Sequence, residues 1–256
     1  METKYSQLLF HLTLLNRAST VSEFNGSDTR ELFVSNCAKR NERAELKRYG
    51  WLTREIQYKF NSQGFRCDEF DSRENFIALG CSFTEGVGVP VTETWPAFLS
   101  QRVGLHGWNL GLGGSSVLSV ARLLVPAIHA LAPKFIAVFL PPKQRFDVVE
   151  HHGYATTFTP SNNKDAQIFH TKLASSYLKS WFANSANAEL QFKMVEAYCT
   201  QVANEFNIPL IMLGSEETRS SLHSYGDVAR DLMHDGPRSN SAIADKFFVR
   251  LTSLKV

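Results

Sequence analysis

Ser82, Asp231 and His234 are the residues whose types and spacing could do chemistry together. A serine hydroxyl is a poor nucleophile until an imidazole takes its proton, and the imidazole works best when a carboxylate orients it. In Asp231-Leu-Met-His234 the carboxylate stands three residues before the imidazole, so a single bend can bring the two together. Such a pair would fix the tautomer of the ring and stabilise the imidazolium formed on deprotonation of Ser82. Attack on a carbonyl also needs N–H donors where negative charge develops. Ser82 brings its own, and Gly113-Gly114 could turn another toward the same place. Read alone, that glycine pair is equally well explained by a tight turn.

The elements around these residues put them at one edge of a sheet. Phe76 to Leu79 is a short apolar strand running directly into Gly80-Cys81-Ser82. Glu93 to Val103 follows as a helix, with Pro96 near its first turn, where a missing N–H costs little. Trp108 to Leu112 is a second strand ending at Gly113. Val117 to Leu131 is a long apolar helix that Pro126 should kink. Lys134 to Leu140 is the clearest strand, apolar on both faces, and Pro141-Pro142 stops it. Leu173 to Phe182 and Glu189 to Phe206 are helices, Ile208 to Leu213 is a fourth strand, and Ser239 to Leu254 is an amphipathic closing helix. Strand alternating with helix predicts an α/β fold, a parallel sheet with helices on both faces. Ser82 would then stand at the C-terminal edge, where open α/β sheets bind ligands.

The rest of the chain carries weaker signals. Leu8 to Leu15 and Arg40 to Arg48 are helix candidates for packing and solvated surface. Ile56, Tyr58 and Phe60 alternate as in a half-exposed strand that a turn at Asn61 to Gly64 would end. Gln144 to His170 shows no clear periodicity, which over such a length predicts a functional loop or lid. Its His151, His152 and His170 are surface or substrate contacts rather than metal ligands, since no third ligand is apparent. Phe146, Tyr154 and Phe158 could line a substrate site or simply pack. His129 falls in an apolar helix as a core or boundary residue. His11 lies in the uninformative N-terminal region, and His106 and His223 sit in turn-like context with no acid at useful spacing.

Composition narrows the function classes. The chain has 256 residues and is 43% hydrophobic, enough to bury a full core. A net charge of +2 with scattered basic residues gives no reason to expect nucleic acid as a partner. The four cysteines, Cys37, Cys67, Cys81 and Cys199, form no C-x-x-C pair, a pattern of a reducing compartment rather than a disulfide scaffold. No segment is long and apolar enough to predict a membrane span, and the expected location is the cytoplasm.

Gly80-Cys-Ser-Phe-Thr84 resembles the first block of the SGNH (GDSL-type) hydrolases, which carries the nucleophile and one oxyanion donor. Asn109-Leu-Gly-Leu-Gly-Gly-Ser-Ser116 is similar to their second block, with Gly114 at the oxyanion glycine. Asp231-Leu-Met-His234 matches the last block, and Tyr58 to Arg66 is similar to a lead-in found in a subset of the family. The resemblance covers roughly residues 56 to 254. It implies a flavodoxin-like three-layer α/β/α sandwich and hydrolysis of small esters, acyl or acetyl, on lipids, carbohydrates or small alcohols, without metal or other cofactor. The family's third block, G-x-N-D, supplies an Asn to the oxyanion. Here Phe139-Leu-Pro-Pro-Lys-Gln-Arg-Phe-Asp147 stands instead. Lys143, Gln144 or Arg145 could replace that donor, and Arg145 is the choice, because a guanidinium offers several N–H groups.

The expectation is an N-terminal extension of unclear role over residues 1–55 and a hydrolase-like domain over 56–256. In that domain Ser82, His234 and Asp231 form a triad, and Gly113, Gly114 and Arg145 surround the oxyanion. The alternatives are a catalytically weak or inactive binding protein of the same fold and an O-acyltransferase using the same triad.

Overall fold

The structure, a computed structural model, describes residues 5, 8, 10–149, 153–158, 180–181, 184–214 and 226–254. Its centre is a four-stranded, all-parallel sheet built from β3 (Asn75–Gly80), β4 (His106–Gly111), β5 (Ile136–Leu140) and β8 (Leu210–Gly214). The spatial order is β4-β3-β5-β8, so by sequence the second strand lies outside the first and the third inside it. That is the flavodoxin-like order, and the chain reverses direction across the sheet beside β3. Register is set by Ile77 opposite both Trp108 and Ile136.

All six residues of β3 and all five of β5 are buried, as strands covered on both faces must be. Alternate side chains go to opposite faces. Ile77, Leu79, Leu110 and Val138 join the core under α6 (Val117–Leu131) and α7 (Ser185–Glu205). Phe76, Ala78, Phe139 and Ile211 pack under α5 (Trp95–Val103) and α8 (Pro237–Ser253), where Trp95 stacks on Phe247 at 4.4 Å. Each such large side chain contributes about 1.5–3 kcal/mol by leaving water. The result is a three-layer α/β/α sandwich.

Local signals set the helix starts. Thr94 caps α5, its hydroxyl accepting from Ala97 N, and Pro96 sits in the first turn. Ser116 caps α6 in the same way through Leu118 N at 3.0 Å. α6 runs on unbroken past Pro126. His129 is exposed rather than a core residue, its ring edge-on to Phe206.

Before the sheet come α1 (Leu12–Arg17), β1 (Val21–Ser22), α2 (Arg30–Ala38), α3 (Arg40–Arg48) and β2 (Tyr58–Lys59). The alternation at Ile56, Tyr58 and Phe60 is real burial, but only two residues pair, antiparallel with β1. β1 thus joins the first fifty-five residues to the rest, and Leu8 and Leu14 enter the same core as Ile77.

The stretch expected to be an irregular lid contains an antiparallel hairpin, β6 (Phe146–Val149) with β7 (Ala155–Phe158). Asp147 accepts from the hydroxyls of Ser119 and Thr157, both at 2.6 Å, which ties the hairpin to α6. Phe146 and Phe158 are buried against each other, with Trp181 4.9 Å from Phe146, so these aromatics pack. His151, His152, His170, His223 and most of the helix expected over 173–182 lie outside the described residues.

Candidate active site

A short turn and helix present Ser82 at the C-terminal end of β3. Gly80 closes the strand with φ 155°, and a Cβ there would lie 2.2 Å from Thr84 Oγ1 and 2.6 Å from the Phe139 carbonyl, so only glycine fits. Ser82 opens α4 (Ser82–Glu85), and as its first residue its N–H has no partner within the helix. Ser82 is buried, at 7% exposure.

The acid–base loop runs from Asp227 to Gly236. Asp227 anchors it to α8 by accepting from Arg238 N at 2.6 Å and from Ser239 N and Oγ at 3.0 and 2.6 Å. Ala229 N–H donates to the His234 carbonyl at 2.9 Å and closes the loop. Inside it Leu232 adopts φ 57°, a left-handed backbone that leucine rarely takes. That bend lets Asp231 Oδ1 accept the backbone N–H groups of Met233 and His234, both at 3.0 Å.

The two loops meet at Gly88. Its carbonyl accepts from Arg230 N at 2.9 Å, and a Cβ there would come within 2.7 Å of Ala229 Cβ. With φ 80° as well, the position admits glycine alone. This close approach sets His234 Nε2 2.8 Å from Ser82 Oγ, while His234 Nδ1 lies 2.6 Å from Asp231 Oδ2. A carboxylate only accepts, so Nδ1 carries the hydrogen and Nε2 is left to accept from Ser82. Phe83 lies against the ring at 4.8 Å. Burial pushes the Asp231 carboxyl up, but the hydrogen bond and charge of His234, the Ser27 hydroxyl and the Met233 N–H outweigh it and hold it below the usual value. Asp231 is therefore an anion in the working pH range.

Of the two candidate oxyanion glycines the structure separates their roles. Gly113 N–H donates to Glu85 Oε2 at 2.6 Å and is not available to a substrate, a correction to the pairing expected from sequence. Gly114 N–H meets no acceptor among the described residues, and nothing lies within 4 Å of where its Cβ would be. Arg145 reaches the same turn, donating from Nη1 to the Ser115 carbonyl at 3.2 Å, and its own carbonyl accepts from Gln191 Nε2 at 2.8 Å. Lys143 turns instead to Glu189 at 2.9 Å, and Gln144 is exposed.

Several residues around the site have no local motif. Glu85, wholly buried, accepts from Arg17 at 2.8 Å and Asn25 at 2.6 Å as well as from Gly113. Ser27 donates to Asp231 Oδ2 at 2.7 Å. Asp28 forms a buried fork with Arg230, Nε to Oδ1 at 2.9 Å and Nη2 to Oδ2 at 2.7 Å, and accepts from Tyr58 at 2.5 Å. The partners lie far apart in sequence, and no local pattern names them. Among the described residues no group of three or more His, Cys, Asp or Glu side chains could hold a metal, and no helix is long and apolar enough to cross a membrane.

No family model matches the chain, and neither does any curated protein sequence. Solved structures similar to it include the psychrotrophic esterase EstA from a Pseudoalteromonas species, at 14% identity, over 72% of this chain and 98% of that one, with a TM-score of 0.40. The acetyl xylan esterase AlAXEase is similar at 16% identity over 69% of this chain and 98% of its own, with a TM-score of 0.35. A candidate lipolytic protein of the G-D-S-L family from Desulfitobacterium hafniense is similar at 14% identity over 67% of this chain and 95% of its own, with a TM-score of 0.34. Likeness of this degree assigns neither activity nor substrate to the chain.

Proposed function

We propose that the chain is a serine hydrolase of small carboxylic esters, an SGNH-type esterase or deacetylase acting on acyl or acetyl groups, O-acetylated carbohydrates among them. The observation that carries this reading is the linked pair of distances, 2.8 Å from Ser82 Oγ to His234 Nε2 and 2.6 Å from His234 Nδ1 to Asp231 Oδ2. Ser82 Oγ attacks the ester carbonyl while His234 Nε2 takes its proton. His234 then gives that proton to the leaving alkoxide as the carbon–oxygen bond breaks, leaving an acyl-Ser82. Water, deprotonated by His234, attacks the acyl carbon and releases the acid, and the proton returns to Ser82. Asp231 stays ionised and stabilises the imidazolium. The N–H groups of Ser82 and Gly114 hold the oxyanion, and Arg145 adds a cationic donor beside them.

Labelling of Ser82 by a fluorophosphonate tests the reading, together with hydrolysis of p-nitrophenyl acetate. The expected result is labelling that Ser82→Ala and His234→Ala both abolish. Folded wild-type protein that neither labels nor hydrolyses the ester would overturn it. A binding protein with weak catalysis is the second reading, favoured by Pro141-Pro142 at the place where the family's Asn donor stands.

A further inference from the structure

The first fifty-five residues bring one hydroxyl to the heart of the site. Ser27 sits in a turn closed by reciprocal backbone bonds, Asn25 N to the Asp28 carbonyl at 3.0 Å and Asp28 N to the Asn25 carbonyl at 3.2 Å. Three fastenings hold that turn. Asn25 Nδ2 donates to Glu85 Oε1, Asp28 forks onto Arg230, and Thr29 caps α2 through Leu32 N at 3.1 Å. Between them Ser27 Oγ points at Asp231 Oδ2 from 2.7 Å, and lies 3.4 Å from His234 Nδ1. The shorter contact is the hydrogen bond, because Nδ1–H is already committed to the carboxylate.

From this we infer that Ser27 is a positioning residue for the acid–base pair, and that residues 17–28 belong to the catalytic machinery rather than to a separate extension. The inference rests on reading Ser82, His234 and Asp231 as the triad. Asp231 has two donors on Oδ1, from Met233 and His234 backbone, and two on Oδ2, from His234 Nδ1 and Ser27 Oγ. Without Ser27 the oxygen facing the imidazole keeps His234 Nδ1 as its one donor, and the carboxylate is held less firmly on that side. Ser27 also withdraws part of the charge on Oδ2. Its removal leaves more of that charge to act on the imidazolium. Among the described residues the charged group in contact with the ring is Asp231 on its own loop; Ser82 and Phe83 from α4 bring no charge.

The experiment compares wild type, Ser27→Ala and Ser27→Thr by two readouts. One is the pH profile of fluorophosphonate labelling at Ser82, the other the titration of His234 followed by NMR, which needs no turnover. Ser27→Ala is expected to label about tenfold more slowly at neutral pH, with its acid limb and its His234 titration both moved to higher pH. Ser27→Thr is expected to restore both. A purely structural role for Ser27 would slow labelling without moving either titration. Wild-type labelling and an unmoved His234 titration in Ser27→Ala would overturn the inference while leaving the hydrolase reading intact. A moved titration in a protein whose wild type never labels would support the Ser27 coupling and sink the hydrolase reading.

Discussion

The two flanks of Ser82 are built to different standards. On the acid–base flank Asp231 is fully buried and meets four hydrogen-bond donors, and the loop that carries it is tied to α8, to Gly88 and to the turn at Ser27. On the other flank the N–H groups of Ser82 and Gly114 meet no acceptor among the described residues, and Pro141-Pro142 supply no donor. Among the described residues the cationic group bonded to the Gly114 turn is Arg145, and one of its donors is already spent on Ser115. On the proposed reading the acid–base pair is held by many bonds, whereas stabilisation of the oxyanion would rest on few groups.

Breaking the strong flank should have the largest effect. Ser82→Ala and His234→Ala are each expected to lower kcat for p-nitrophenyl acetate by about 10⁴-fold or more, and Asp231→Asn by about 10³- to 10⁴-fold, through loss of the correct tautomer. Asp231→Asn also carries a pH signature. The folded carboxyl titrates below its usual value, so Asp231 contributes stability above about pH 4 that is lost as pH falls through the folded pKa. The unfolding free energy from urea titrations should therefore rise more steeply with pH in wild type than in Asp231→Asn between about pH 2 and 5. Equal slopes would mean that Asp231 is not held as an anion.

The parts of the molecule readable from sequence are those where one stretch carries its own reason. Phe76 to Leu79 and Lys134 to Leu140 announce buried strands by composition, and Asp231 to His234 announces a pair by spacing. The links that hold the site together have no such signature. Ser27 and Asp231 are 204 positions apart, Arg17 and Glu85 are 68, and a serine or arginine does not name a partner at that distance. Gly113 and Gly114 read alike, and only the position of Glu85 decides which N–H is free. The hairpin at Phe146–Phe158 hid behind Asp147 and Thr157, which are polar because they bond each other. Leu232 gave no warning of its left-handed backbone, since leucine is not a residue chosen for it.

The weak flank sharpens the comparison through Arg145. Arg145→Ala is expected to lower kcat about 30- to 100-fold with little change in KM, somewhat less than the loss of a well-placed oxyanion donor. Arg145→Lys should recover part of it. An unchanged kcat would remove Arg145 from the oxyanion and leave two backbone donors to do all the stabilising. One step further back, Glu85→Gln keeps an acceptor for Gly113 but leaves the Arg17 guanidinium without its buried partner. Breaking a buried pair from one side costs about 3–5 kcal/mol, partly relieved here because the glutamine oxygen can still accept. Chemical denaturation should register that loss, and kcat should fall about tenfold as the Gly113-Gly114 turn loosens.

Lys143 supplies the smallest expected effect and the cleanest control. It stands two residues from Arg145 and carries the same charge, so any model in which positive charge near the third strand is all that matters predicts similar losses from both. The geometry says otherwise. Lys143 is turned toward Glu189, and that pair is partly solvated, with side-chain exposures of 30% and 43%. An exposed pair of this kind is worth about 0–1 kcal/mol. Lys143→Ala should therefore leave kcat and KM within about twofold of wild type when measured beside Arg145→Ala. A loss as large as that of Arg145→Ala would show that the field of the whole segment, rather than a donor aimed at the Gly114 turn, stabilises the oxyanion.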